Sequence, residues 1–410
     1  MMTAFCLILS AMRYDCTQSA CVIEHVALES LDDGSVAKDA SVLTSGGKIV
    51  SVGLAGSVPT PEGAVHIDGR GRVLAPAFIE TVTSLGLTEI GAEKIAREDG
   101  PRAAIAPALS PMEAFNPRSV WIPLARAAGV LFGVTASGGE IVGGRGVWFE
   151  AGEKATLDPL RPLVIFGSVG EHAALSAGNS RAVLWLKLRE AFADARFYRA
   201  NKRAIESGDT RPLSVGLAHL EALLPVIEQK ALLVLEANRA SDIVAALGFA
   251  KEQQIRIAIL GGAEAYLVSE ALAAAKTMVI VTPSGQTPQD FDQLGARDDV
   301  LTLLHRAHVS FAISTMASVS ITRLRQEAGQ AVAYGLPHHV ALAAITRAPA
   351  ELYGRGAELG SIAVGKRASF VLWSGDPLEV TSVAEHVFID GVEQSLESRQ
   401  RALVRRYLGR

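Results

Sequence analysis

The chain has 410 residues, 49% of them hydrophobic and 20% charged, with a formal net charge of −4. That length suits two or three average domains or one large barrel with an appendage, and that composition buries a sizeable core, which excludes a disordered chain. No basic run is present, which argues against a nucleic-acid partner, and no stretch of about 18 uncharged apolar residues is present, which argues against a membrane-spanning helix.

Residues Met2 to Met12 are apolar, lack a basic start and end at Arg13. They read either as a clipped signal segment or as a loose terminus. The three cysteines, Cys6, Cys16 and Cys21, are odd in number and irregular in spacing, so they form neither a disulfide framework nor a zinc ribbon. They are expected to be free thiols.

From Val22 to Ile67 short β-prone runs alternate with turns. Val22 to Leu28, Ala40 to Leu43, Lys48 to Val52 and Ala64 to Ile67 are the predicted strands, separated by Asp32-Asp33-Gly34 and Gly46-Gly47. From about 72 to 350 the rhythm changes. Nearly continuous apolar runs recur at Val130–Val134, Pro162–Phe166, Leu232–Leu235, Arg256–Leu260, Met278–Val281 and Val309–Ile313. Such runs suit parallel strands covered on both faces. Helical spacing fills Asp242–Gln253, Ala263–Lys276, Val300–His308 and Ile321–Tyr334. Gly335 stops the last of these and Pro337 starts the next. The charged stretch Ser180 to Ser207 reads as a long solvated helix on the rim, with a lid or oligomer contact as its functional reading.

Serial βα units at this spacing predict a (β/α)8 TIM-like barrel, with a doubly wound open sheet as the alternative. A second β-rich stretch, Gly360 to Trp373 and Val387 to Gly391, follows it. Each terminal β segment is small for an independent sheet. We therefore expect a discontinuous β-sandwich domain from 20–75 plus 355–395, a barrel over 76–354 and a C-terminal tail over 396–410.

Several stretches carry a resemblance. Ser45-Gly-Gly-Lys-Ile-Val-Ser-Val-Gly53, Ile67-Asp-Gly-Arg-Gly-Arg-Val-Leu-Ala-Pro76, Asn238-Arg-Ala-Ser-Asp-Ile243, Gly262-Ala-Glu264-Ala-Tyr266, Leu324 to Gly329 with Ala333 to Pro337, and Gly360 to Lys366 with Leu372 to Leu378 occur in a specific order. Together they resemble the amidohydrolase superfamily, in particular its imidazolonepropionase-like members. The resemblance implies a barrel whose C-terminal mouth holds one or two divalent metals. Metal-bound water there attacks a C–N bond, and an aspartate after strand 8 handles the proton.

Carried over by position, the ligand set is altered. The strand-1 histidine pair falls on Val82 and Ser84, following Glu80. The strand-5 pair falls on Glu236 and Asn238, the strand-6 histidine on Gly261, and the strand-8 aspartate on Met316. An aliphatic or thioether side chain is no substitute for imidazole or carboxylate on a hard divalent ion.

Of the nine histidines (His25, His66, His172, His219, His305, His308, His338, His339 and His386), His172 is the functional candidate, because it follows a strand ending at Phe166. His305 and His308 read as exterior residues, and His338 and His339 as surface residues at a helix start. The run Ser137 to Gly146 lacks the Gly-Lys-Ser/Thr ending of a phosphate loop and reads as a βα loop at the barrel mouth. Glu80, Glu140, Glu171 and Glu236 are expected near that mouth.

The leading functional reading is a pseudo-hydrolase that has lost metal-dependent hydrolysis and binds a small molecule in the barrel mouth. The alternatives are an active hydrolase of non-peptide C–N bonds, cyclic amides or imidazolones, with an atypical site, and an oligomeric scaffold. No cofactor is expected; zinc belongs only to the active-hydrolase reading. A homo-oligomer is the other partner expectation, and the periplasm is slightly favoured over the cytoplasm.

Overall fold

A computed structural model describes residues 13–98, 100, 104–158, 164–208 and 211–408. Met2–Met12 and Cys6 lie outside the described residues, as do the first two residues of the predicted strand at Pro162–Phe166.

The N-terminal β-prone runs form strands β1 (Cys21–Glu29), β2 (Val36–Ser45), β3 (Lys48–Leu54), β4 (Val65–Asp68) and β5 (Val73–Pro76). β1, β2 and β3 run antiparallel in sequence, and β4 and β5 lie parallel to β1. Gly46 and Gly47 join β2 to β3 with φ of 56° and 76°, a left-handed turn that glycine enters without steric cost. Cys16 and Cys21 are joined by a disulfide. This corrects the free-thiol expectation: the five-residue separation is bridged by a turn whose closure only the folded chain displays.

The barrel follows. Its elements are β6 (Phe78–Thr83), α1 (Trp121–Ala127), β7 (Val130–Ala136), β8 (Val142–Glu150), the short β9 (Thr156–Asp158), β10 (Val164–Ser168), α2 (Glu171–Ser176), α3 (Arg181–Glu206), α4 (Leu217–Ile227), β11 (Leu232–Ala237), α5 (Ala240–Gln253), β12 (Ile257–Gly261), α6 (Ser269–Ala275), β13 (Val279–Val281), α7 (Val300–Arg306), β14 (Phe311–Ile313), α8 (Leu324–Ala333), α9 (His338–Ala344) and α10 (Arg347–Leu352). The strands pair in the order β14-β13-β12-β11-β10-β8-β7-β6. They are buried almost throughout, as continuous apolar runs require.

One strand departs from the expected pattern. β8 is antiparallel to both β7 and β10, with no helix on either side of it. The glycine-rich run is therefore partly a strand and not a βα loop. Its glycines let backbones approach closely: a Cβ on Gly139 would stand 2.1 Å from Gly143 Cα, and one on Gly146 would stand 2.6 Å from a Val134 methyl.

The ring is completed by side chains. Thr81 Oγ1 on β6 donates to Ile313 O on β14 at 3.0 Å, and Ser314 Oγ donates to Val82 O at 3.0 Å. Tyr353 O–H donates to Thr81 O at 2.6 Å from outside.

α3 is amphipathic rather than simply solvated. Ser180 caps it by accepting from Val183 N–H, and Leu184, Leu188, Ala191, Phe192 and Ala195 are fully buried on one face. Each large side chain so buried is worth roughly 1.5–3 kcal/mol. Lys187, Arg189 and Glu190 lie off that face.

Beyond the barrel come β15 (Phe370–Trp373), β16 (Ala384–Ile389), β17 (Val392–Glu393) and α11 (Arg399–Leu408). β15 pairs antiparallel with β5, so both ends of the chain share one sheet, ordered β17-β16-β15-β5-β1-β2-β3. Its own core gathers Ile23, Val42, Ile67, Leu74, Phe370 and Phe388. Arg367 ties it to the barrel, pairing with Glu150 on β8 at 3.0 Å and with Asp390 at 2.5 Å.

His338 is not a plain surface residue. Its ring bridges Glu29 at 2.7 Å and Asp376 at 3.0 Å, joining β1, α9 and the loop after β15. No described helix is long and apolar enough to cross a membrane.

Candidate functional site

The C-terminal ends of the parallel strands open on a cavity of about 200 Å³. Val82 and Thr83 reach it from the end of β6, and Ser84 from the residue just beyond. β11 supplies Glu236, β12 supplies Leu260, and the turn after β14 supplies Met316. Four of the six positions singled out from the sequence thus line one cavity. Met316 reaches it with φ of 58°, a left-handed conformation unusual for a residue with a Cβ.

Asn238 and Gly261, the other two, do not line it. Asn238 is buried and faces Gly261 instead: a Cβ on Gly261 would stand 2.4 Å from Asn238 Oδ1. That oxygen accepts from Ala263 N–H at 3.3 Å, so it serves the β12 loop. Gly261 adopts φ of 90°.

Phe166 and Ser168, which carried no sequence signal, arrive from β10; Ser137, Gly138 and Gly139 come from the β7–β8 turn, in the glycine-rich run expected at the barrel mouth. A continuous apolar strand does not reveal which of its residues face inward, so only the register Ser168↔Glu236 exposes the pairing.

Among the described residues, Glu236 is the only charged one on the cavity wall. It is solvent-accessible, yet protein surrounds its carboxylate, as expected for a side chain pointing into a concavity. Burial raises its pKa. A hydrogen bond from Ser168 and the nearby His172 oppose that rise, and Asp290 and Asp292 add to it. His172 is exposed on α2 and does not line the cavity.

The four glutamates do not converge. Glu80 sits beneath the cavity, fully buried. Its carboxylate accepts from Ser314 Oγ (2.5 Å), Thr315 Oγ1 (2.6 Å) and Thr315 N–H (3.1 Å). Burial, only partly offset by these bonds, pushes its pKa up to about 7. Glu171 begins α2, where Asp292 accepts from its N–H at 2.6 Å. Glu140 is not on the cavity wall.

His305 lies elsewhere. With His339 and Asp32 it borders a separate cleft of about 320 Å³ at the opposite end of β14. Among the described residues, no group of three or more His, Cys, Asp or Glu is arranged to hold a metal ion. At the six positions the donors are one carboxylate, one hydroxyl, one already engaged amide and one thioether.

Comparison with known proteins gives a consistent set of likenesses. Residues 293–395 match the model of the Amidohydrolase family. A stretch of 68 residues, 17% of this chain, is 47% identical to amidohydrolase tasK of Hapsidospora irregularis, and it spans only 7% of that protein's length. The crystal structure of an amidohydrolase from Thermotoga maritima MSB8 superimposes with a TM-score of 0.81 and 26% identity, covering 91% of this chain and 99% of that one. Phenylurea hydrolase B shares the fold at a TM-score of 0.57 and 16% identity, over 92% of this chain and 97% of that one.

Proposed function

Because this chain belongs to the amidohydrolase superfamily, we propose that it is a hydrolase-like protein that has given up metal-dependent hydrolysis and binds a small molecule in its barrel mouth. The observation that carries this reading is the cavity wall itself. Val82 and Met316 both line it; by the positional resemblance they take the places of a histidine and an aspartate ligand, and neither offers a hard donor. Glu236 alone is a charged donor, and one carboxylate with a hydroxyl is far from a closed coordination shell. The residues present do not fit the metal.

We read the eight-stranded terminal sheet as the β-sandwich of a composite domain spanning 20–75 and 355–395, with the barrel over 76–354. The disulfide between Cys16 and Cys21 supports an oxidising compartment such as the periplasm.

A second reading is favoured by one observation. Glu236 has a raised pKa and sits near His172, a pairing suited to general acid–base catalysis without metal. On that reading the protein still hydrolyses a cyclic amide or an imidazolone.

Metal analysis and thermal melting separate the two from ordinary metal-dependent hydrolysis. The purified protein is expected to carry no stoichiometric zinc, iron or manganese, and its melting midpoint should ignore chelator and added zinc. One bound ion per chain, removed with loss of activity, overturns the proposal. Turnover of a cyclic amide or imidazolone that persists in chelator and falls on Glu236→Gln establishes the second reading instead.

A further inference from the structure

We propose that the barrel-mouth cavity is a binding site for a small organic cation, a primary ammonium on a short apolar chain, held by Glu236. This deepens the small-molecule reading above and rests on it.

The cavity's lining is mixed: Val82, Phe166, Leu260 and Met316 contribute apolar surface, and Thr83, Ser84, Ser137, Ser168 and Glu236 contribute polar groups. Among the described residues, no lysine, arginine or histidine lines it. Among the described residues, Glu236 makes no ion pair, whereas many carboxylates elsewhere in the chain do, including Asp194, Asp242, Asp292 and Glu150. Asp290 and Asp292 add negative charge to its surroundings, partly offset by His172, which stands off the cavity wall. Asp292 already pairs with Arg181 at 2.6 Å, so that arginine is engaged away from the cavity wall.

Glu236 is open to water within the cavity but has no cationic partner on its wall, so a ligand that supplies one gains a charge-assisted contact there. An ammonium brings three donors. One can meet Glu236, and the hydroxyls of Ser84 and Ser168 can accept the others. The ligand's remaining atoms then meet the apolar surface. The volume sets the scale: about 200 Å³ is below the roughly 300–1,000 Å³ of a drug-sized site, so a fragment fills it. An anion of the same shape would meet Glu236, Asp290 and Asp292 as like charges.

The test is calorimetric titration of the full-length, metal-free protein with three probes: n-butylammonium, n-butanol and butyrate. The expected order has n-butylammonium binding about tenfold or more tighter than either analogue, as one charge-assisted contact supplies. Glu236→Gln should lose about that factor. Circular dichroism checks that this variant folds. Ser84→Leu, which fills the cavity and leaves the carboxylate in place, should also abolish binding. Equal binding of butyrate or n-butanol, or unchanged binding in Glu236→Gln, overturns the inference, as does failure of n-butylammonium to bind metal-free protein. A stoichiometric metal in the purified protein strikes at the pseudo-hydrolase reading itself, so the two failures are told apart.

Discussion

Glu80 near the end of the first barrel strand takes three of its hydrogen bonds from one residue beyond the last strand, the N–H and hydroxyl of Thr315. Here the sheet lacks a backbone ladder between its two ends, and this carboxyl stands in for it. Ser314 Oγ lies 2.5 Å from Glu80 Oε1 and 3.0 Å from Val82 O. One hydroxyl proton cannot serve both acceptors. With Glu80 ionised the Ser314 proton goes to the carboxylate; with Glu80 protonated, Glu80 donates to Ser314, whose own proton then goes to Val82 O.

Stability should therefore depend on pH through Glu80. Its folded pKa of about 7 lies above the ordinary 4.5. Between those values the folded state holds the proton more often than the unfolded chain, so stability falls as pH rises through that window and levels off above it. The full effect is on the order of 3 kcal/mol, at about 1.4 kcal/mol per pH unit. Glu80→Gln removes the titration. Urea unfolding of both proteins at about pH 5 and about pH 8 should show the variant gaining on the wild type by up to that amount. A gap independent of pH would refute the assignment.

His338 carries the same sign by a different cause, a charged partner rather than burial. Its bond to Asp376, with Glu29 also nearby, raises its pKa. Its stabilisation is fully present below the ordinary histidine value and is lost as pH rises through the raised one. The ring is partly exposed, so about 1 kcal/mol is expected after solvent screening. His338→Ala should destabilise at about pH 6 and have little effect at about pH 9. Equal destabilisation at both would show that packing, not charge, is lost.

The long helix α3 is anchored by its apolar face. Phe192 is fully buried, with its ring 5.2 Å from that of Phe249 on α5 in an edge-to-face contact. Phe192→Ala should cost about 3–5 kcal/mol. Arg189 pairs with Glu252 at 2.9 Å, but both are well exposed. Arg189→Ala should cost no more than about 0.5 kcal/mol. Denaturant titration of the two variants compares them, and similar costs would contradict this account of the helix.

Cys16 and Cys21 close a short loop, for which unfolded-state entropy is worth roughly 2 kcal/mol. Alkylation of the denatured, unreduced protein should leave both unlabelled, and reduction should lower the unfolding free energy by about that amount or less. Labelling of both without reductant would remove the disulfide from the structure.

Much of this molecule is written locally. Apolar runs such as Leu232–Leu235 and glycine or proline stops such as Gly335 and Pro337 specify strands and helix ends through neighbours a few residues away, and those elements form where the pattern predicts. That Val82 and Met316 offer no hard donor is legible from residue identity alone. What the pattern does not contain is which distant positions meet. The antiparallel course of β8 was hidden by its glycines, whose use lies in the backbones they let approach. The grouping of Val82, Ser84, Ser168, Glu236 and Met316 around one cavity, and the bridging of Glu29 and Asp376 by His338, depend on sheet order across more than a hundred residues. Sheet order is set by burial of whole faces against one another, so only the folded chain decides it.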